Sequence, residues 1–268
     1  MKVVLFCGGM GTRLREYSER IPKPLVPIGG LPIIWHIMRY YAHFGHKDFI
    51  LCLGYQGEAF KKFFLEYNEA LTSDFVLDQG GANIHVLNPE QKDWRITFVD
   101  TGLETNIGGR LLRVRKHLQG EKMFLANYAD VLTDVDLNVM LRNFQSSDAV
   151  AGFCCVPPPY SFHLVKVNDQ NRVSSMMNVR DSGMWMNGGY MMLRDEIFDH
   201  LKPGEELVVE GFDRLIKSNR LYAHMHDGFW MPMDTFKEKQ ALDDLWARGT
   251  TPWQVWKMRG DDARPAVA

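Results

Sequence analysis

The feature that most restricts the fold is a regular exchange of short apolar runs for helical patterns along the first half of the chain. Residues 2–7 form an apolar run that ends at glycine. Residues 31–44 place Ile34, Met38 and Tyr41 on one helical face. Residues 48–53 are a second strand-like run, and 58–67 a second helix with Phe60, Phe63 and Phe64 turned inward. Strand, helix and strand patterns follow over 95–101, 110–118 and 122–126. Strands separated by helices predict right-handed βαβ units and a parallel sheet. Ligands of such sheets bind beyond the carboxyl ends of the strands. Residues 8–13 and Asp130 both fall there.

The second half is richer in strands, predicted over 149–156, 164–167, 190–193 and 221–226, with helices over 135–144, 209–218 and 235–248. Residues 69–89 are largely polar without good periodicity and read as an insertion over a site. Residues 259–268 carry charge, Pro and Ala without a pattern and are expected to fray. With 268 residues and 46% hydrophobic side chains, the chain can bury a core without disulfide or metal staples. Lys plus Arg is 31 against 33 for Asp plus Glu, which argues against nucleic acid or an anionic membrane as the partner. No apolar run approaches the roughly 18 residues of a membrane span, and the N-terminus lacks a signal-peptide pattern. Cys7, Cys52, Cys154 and Cys155 show no C-x-x-C spacing, so buried thiols in a reducing cytoplasm are expected.

The chemistry concentrates in Phe6-Cys7-Gly8-Gly9-Met10-Gly11-Thr12-Arg13-Leu14, followed by Pro22-Lys23-Pro24. Glycines after a strand let the backbone approach a phosphate chain and expose a nest of N–H donors. Arg13 supplies a forked cation and Lys23 a point charge, the pair expected around a triphosphate. The spacing is neither G-x-G-x-x-G nor a Walker A loop. His36, inside an apolar helix, reads as a core histidine. His224 and His226 lack a third clustered ligand for a metal. The Met pairs at 176–177, 184–186 and 191–192 read as core or pocket lining.

The glycine loop with its Pro-Lys-Pro element resembles the signature of the sugar-1-phosphate nucleotidyltransferases. The match continues through Leu31-Pro32-Ile33-Ile34-Trp35-His36, Asp100-Thr101-Gly102, Gly108-Gly109-Arg110-Leu111, Asn187-Gly188-Gly189 and Gly228-Phe229-Trp230 to Pro232-Met233-Asp234-Thr235. It is similar over about residues 1–257 to the glucose-1-phosphate cytidylyltransferase branch.

The resemblance implies an α/β, Rossmann-like (GT-A-like) fold. A mixed, mostly parallel central sheet is flanked by helices, with a small β-rich acceptor subdomain. Residues 1–257 would be one nucleotidyltransferase domain, its nucleotide-binding part about 1–145 and its acceptor part about 146–257, with 258–268 a flexible tail. It implies condensation of a nucleoside triphosphate, CTP in this branch, with a sugar phosphate, releasing pyrophosphate with Mg²⁺. Such chemistry needs positioning and charge neutralisation. Arg13 and Lys23 would be catalytic. Phe6, Gly8, Gly9, Gly11, Thr12, Thr101, Arg110 and Ala129 would join them on the nucleotide. Asp130 and Asp234 would hold the metal, although each could instead cap a helix, as could Asp134 or Asp136. Asn187, Gly188, Glu210, Arg180 and His163 would face the acceptor. Another nucleotide, a non-hexose acceptor or a non-catalytic sensor of the same fold are the alternatives, and a homo-oligomer is left open.

Three departures cluster on the acceptor side. The family's lysine position before Asn-Gly-Gly is Asn178, with Arg180 two residues on. Its Gly-Asp-Gly is Ala129-Asp130-Val131, and its Arg-Phe-Gly is Ser161-Phe162-His163. These changes predict intact nucleotide activation with an altered acceptor pocket.

Overall fold

The computed structural model describes residues 1–9, 21–87 and 93–257. A strand with apolar side chains at consecutive positions has to bury both of its faces. Strand β1 (Lys2–Phe6) does this, sending Val3 and Leu5 into one core layer and Val4 and Phe6 into the other. A short ribbon of β2 (Pro27–Ile28) and β3 (Leu31–Pro32) leads into the Ile33–His43 helix, which Gly45 ends with a φ of +86°. Next come β4 (Asp48–Leu53) and the Gly57–Glu66 helix. A hairpin of β5 (Phe75–Asp78) and β6 (Asn83–Val86) follows, then β7 (Arg95–Asp100), the Ile107–Val114 helix and β8 (Met123–Asn127).

Past β8 lie β9 (Val131–Thr133), the Leu137–Gln145 helix and β10 (Ala151–Val156). An exposed hairpin of β11 (His163–Val167) and β12 (Val173–Asn178) precedes β13 (Met186–Arg194). The chain then runs through a π-helical turn, Leu207–Gly211, into the Phe212–Lys217 helix, β14 (Leu221–Met225), β15 (Trp230–Pro232) and the Phe236–Ala247 helix.

Seven strands form one sheet in the order β14-β10-β13-β8-β1-β4-β7. Strand β13 is antiparallel to β10 and β8, and every other neighbouring pair is parallel. The expected mixed, mostly parallel α/β sheet is therefore present. The Ile33–His43 and Leu137–Gln145 helices cover one face, and the Ile107–Val114 and Phe212–Lys217 helices the other. Because β13 runs backwards, its first residues share an edge with the last residues of β1, β8 and β10.

Several boundaries move for physical reasons. The third helix begins at Ile107 rather than at residue 110, because the Asn106 side chain accepts from Gly109 N at 2.8 Å and caps it there. The polar, aperiodic stretch holds the β5–β6 hairpin, whose side chains are almost all exposed and so give no burial period. Met191 and Met192 are core and Met186 lines a cavity, but Met176, Met177 and Met184 are exposed. All four cysteines are free and buried. Among the described residues no helix is long and apolar enough to cross a membrane.

Candidate active site

Three charged side chains from distant parts of the chain meet at the sheet edge. Lys23 stands in a 3₁₀ turn, Lys23–Leu25, between Pro22 and Pro24, and is only 9% exposed. Asp130 follows β8 after a tight turn in which Ala129 N donates to Asn127 Oδ1 at 2.8 Å. Ala129 is fully buried at a φ of +65°, a left-handed conformation that costs a residue with a Cβ. Asp234 is delivered by β15, which pairs with β9, while Met233 N donates to Asp130 O at 2.9 Å. Lys23 Nζ donates to Asp130 Oδ2 at 2.6 Å and to Asp234 Oδ1.

Neither aspartate caps a helix. Asp136 caps Leu137–Gln145, and Thr235 caps Phe236–Ala247 in a capping box with Glu238. Asp134 instead accepts from Phe229 N at 2.9 Å and pairs with His226 at the same distance. Burial opposes the Lys23 ammonium, but the two carboxylates outweigh it and hold its pKa above the ordinary value. Burial likewise pushes the Asp130 carboxyl up, against the pull of Lys23. Two hard oxygen donors at one point suit a magnesium ion, which takes its remaining ligands from phosphate and water. Among the described residues no group of three or more His, Cys, Asp and Glu gathers anywhere, so a protein-only metal cage is absent there.

Beside this cluster opens a cavity of about 480 Å³. Of the residues singled out from sequence, Phe6, Gly8, Gly9, Arg110, Asp130, Asn187, Gly188 and Asp234 line it. Gly11, Thr12 and Arg13 lie outside the described residues. Thr101 and Ala129 are fully buried next to the lining.

Arg110 is 3% exposed and ties three strand ends together. Its guanidinium donates to Leu53 O at 3.1 Å, Thr101 Oγ1 at 2.7 Å, Gly8 O at 3.0 Å and Leu103 O at 3.2 Å. A Cβ on Gly8 would lie 1.9 Å from Arg110 Nη1, so the glycine is needed for this packing as much as for any ligand. Burial lowers the Arg110 pKa. Among the described residues its charge is met by carbonyl and hydroxyl dipoles and by no paired carboxylate.

On the other side of Asp130, Gly188 opens the wall formed by β13. Trp230 Nε1 donates to Gly188 O at 2.8 Å, and a Cβ there would lie 3.0 Å from both Cys154 O and Trp230 Nε1. Three expected acceptor residues stand elsewhere. Glu210 is exposed and accepts from Glu206 N at 2.8 Å, so Glu206, not Glu210, reaches the cavity. A single helical turn separates the two. His163 faces Asn178 at the base of the β11–β12 hairpin and is exposed. Arg180 donates to Pro159 O at 3.0 Å and does not line the cavity. Asn178 accepts from Arg180 N at 3.0 Å.

Sequence reasoning also missed Tyr128, Asn106, Tyr160 and Trp230 as lining residues. Trp230 lay within a quoted motif, and Tyr128 sits two residues before Asp130. His36 is a core residue as expected, with Nε2 2.9 Å from Ile28 O and its pKa lowered by burial to about 4.

A mixed sheet whose edge presents a glycine turn, a buried lysine and two converging aspartates defines a class, and the chain matches the nucleotidyl transferase family over residues 2–235. It belongs to that family. It is 35% identical over 258 residues to a "probable glucose-1-phosphate cytidylyltransferase" of Bacillus subtilis, spanning 96% of this chain and all of that one. It is 34% identical over the same shares to the glucose-1-phosphate cytidylyltransferase of Salmonella typhimurium. Among solved structures it resembles a UDP-glucose pyrophosphorylase complexed with UDP-glucose, with a TM-score of 0.67, 14% identity and 92% and 98% of the two chains covered. That likeness concerns the fold.

Proposed function

We propose that the protein condenses CTP with a sugar 1-phosphate, giving a CDP-sugar and pyrophosphate. The observation that carries this reading is the meeting of Lys23 with Asp130 and Asp234 at a cavity bounded by Gly8–Gly9 on one side and Asn187–Gly188 on the other. The full-length similarity to glucose-1-phosphate cytidylyltransferases supports CTP as the nucleotide and a hexose 1-phosphate as the acceptor.

In this reading Asp130 and Asp234 hold Mg²⁺, which when bound neutralises charge on the phosphates. Lys23 exchanges its carboxylate partners for phosphate oxygens. Gly8 and Gly9, with Gly11, Thr12 and Arg13 beyond them, cradle the triphosphate. Thr101 and Ala129 shape the nucleotide side, and Arg110 braces it while lending positive charge. Asn187 and Gly188 face the acceptor. A phosphate oxygen of the sugar phosphate attacks the α-phosphorus as the bond to the β-phosphate breaks, and pyrophosphate leaves. The entering and leaving groups are both phosphates, so no side chain needs to move a proton. Free buried thiols support a reducing compartment, the cytoplasm.

The test is pyrophosphate release from CTP with glucose 1-phosphate and a panel of other sugar phosphates, with Mg²⁺ or with chelator. Release is expected only when CTP, acceptor and Mg²⁺ are all present. CTP binding with no acceptor-dependent pyrophosphate would overturn the assignment in favour of a sensor.

A further inference from the structure

The cavity holds one carboxylate that the metal pair does not account for. Among its described lining residues the acids are Asp130, Asp234 and Glu206. A pocket built for two phosphate-bearing substrates gains nothing from a third negative charge aimed at phosphate. Glu206 must face a hydrogen-bond donor instead.

Its setting says on which side. Glu206 Oε1 accepts from Ile107 N at 2.9 Å and from Gly108 N at 3.3 Å, at the start of the Ile107–Val114 helix. That helix follows β7. In the sheet, β1, β4 and β7 lie to one side of β8 and its Asp130, whereas β13 with Asn187 and Gly188 lies to the other. Glu206 stands where the chain coming from β7 enters that helix, within electrostatic reach of the Tyr128 phenol just past the end of β8.

The seat is built. Gly108 has no room for a side chain, because a Cβ would come within 2.3 Å of Glu205 O. Behind Glu206, its own amide is held by Glu210 at 2.8 Å, and Arg214 clamps Glu205 through two hydrogen bonds of 2.6 and 2.5 Å. Bare helix amides would be donors suited to a base carbonyl. With Oε1 placed over both, this stretch of wall presents Oε2 instead, an acceptor with no protein partner among the described residues.

We propose that Glu206 selects the nucleobase: its cavity-facing oxygen accepts a hydrogen bond from an exocyclic amine, favouring cytosine over uracil or thymine. Cytosine carries an N4 amine where uracil and thymine carry the O4 carbonyl, and a carboxylate matches only the first. This inference rests on the cavity receiving a nucleoside triphosphate, as proposed above.

The experiment compares wild type with Glu206→Gln, using CTP, UTP and the 4-unsubstituted pyrimidin-2-one ribonucleoside triphosphate. Glutamine keeps an oxygen for the two amides and turns an NH₂ toward the base. The CTP-over-UTP ratio of kcat/KM is expected to fall about tenfold, with KM for the sugar phosphate unchanged. In wild type the pyrimidinone nucleotide should lose about as much against CTP, and the two losses should not add in the variant. An unchanged CTP-over-UTP ratio overturns the proposal, whether or not the sugar-phosphate KM rises. If Glu206→Gln does not fold, equal use of CTP and the pyrimidinone nucleotide by wild type overturns it alone. Turnover of CTP by wild type upholds the functional reading in either case. A wild type inert with every triphosphate would sink both.

Discussion

Lys23 is the place where the site's electrostatics can be measured without turnover. Replacing it with methionine keeps an unbranched apolar stem and removes the ammonium. Both aspartate oxygens touch one nitrogen, so they lie within roughly 5 Å of each other, and at an effective dielectric of about 20 their repulsion is about 3 kcal/mol. The Asp130 and Asp234 side chains are 22% and 30% exposed, so water screens part of this. The lost charge-assisted hydrogen bonds act in the same direction. A net loss of about 3 kcal/mol in the metal-free protein is expected, in line with breaking a largely buried ion pair. For a chain of this size that is a fall of about 6–12 °C in Tm.

Magnesium should then behave differently in the two proteins. In wild type the ion must displace the Lys23 ammonium from both carboxylates, and in Lys23→Met that competitor is gone. Differential scanning fluorimetry in EDTA and across a Mg²⁺ titration reads both effects. The variant is expected to start lower and to gain more, about 2.7 kcal/mol at 100 times the dissociation constant. A variant within 2 °C of wild type in EDTA, or one with no larger Mg²⁺ shift, would refute the reasoning.

Arg110→Met removes a buried donor from Leu53 O, Gly8 O, Leu103 O and Thr101 Oγ1, although Leu53 O keeps Thr101 N and Oγ1 and Gly8 O keeps Tyr55 N. A loss of about 3–5 kcal/mol is expected by urea denaturation, and one under about 1 kcal/mol would show that the brace is dispensable. At Ala129, glycine should stay within about 1 kcal/mol of wild type, because relief of the positive φ offsets the added chain freedom. Valine should cost more than about 2 kcal/mol there, and similar behaviour of the two variants would count against a strained turn. His36 and His46 both have pKa values lowered to about 4, chiefly by burial, so they bind fewer protons folded than unfolded. Stability should therefore fall as pH drops from about 6.5 toward 4, by up to about 1.4 kcal/mol per pH unit for each. Flat stability between pH 6.5 and 5, above most carboxylate titrations, would contradict that account.

The sheet strands were legible because burial on both faces writes them as apolar runs, as at Val3–Phe6 or in Asp48–Leu53. Strand β12 was not, since Val173–Asn178 is exposed and carries no burial pattern. The ribbon strands β9 and β15 are three residues each, too short for any period to register. Lys23, Asp130 and Asp234 are singled out in the sequence by the resemblance to family motifs, and the β9–β15 ribbon explains how two aspartates 104 positions apart come together. Glu206 was missed because its role depends on which face of a π-helical turn meets the Ile107–Val114 helix, a tertiary fact without a local signature.

The reversed strand also explains why half of the site escapes the rule that ligands sit beyond the carboxyl ends of strands. Asn187 and Gly188 begin β13, yet they reach the same edge as Gly8 and Asp130 because β13 runs against its neighbours. What fixes that wall is the indole of Trp230, bonded to Gly188 O. Trp230 opens β15, and four residues later the same segment delivers Asp234 to Lys23. The register of β15 on β9, Trp230 opposite Thr133 and Pro232 opposite Val131, therefore sets the Gly188 wall and the position of Asp234 together. A slip of this ribbon would turn every one of its side chains to the opposite face. Under the proposed reaction a change at Trp230 acts on both substrates, so reshaping the cavity from the Gly188 side cannot leave the phosphate chemistry untouched.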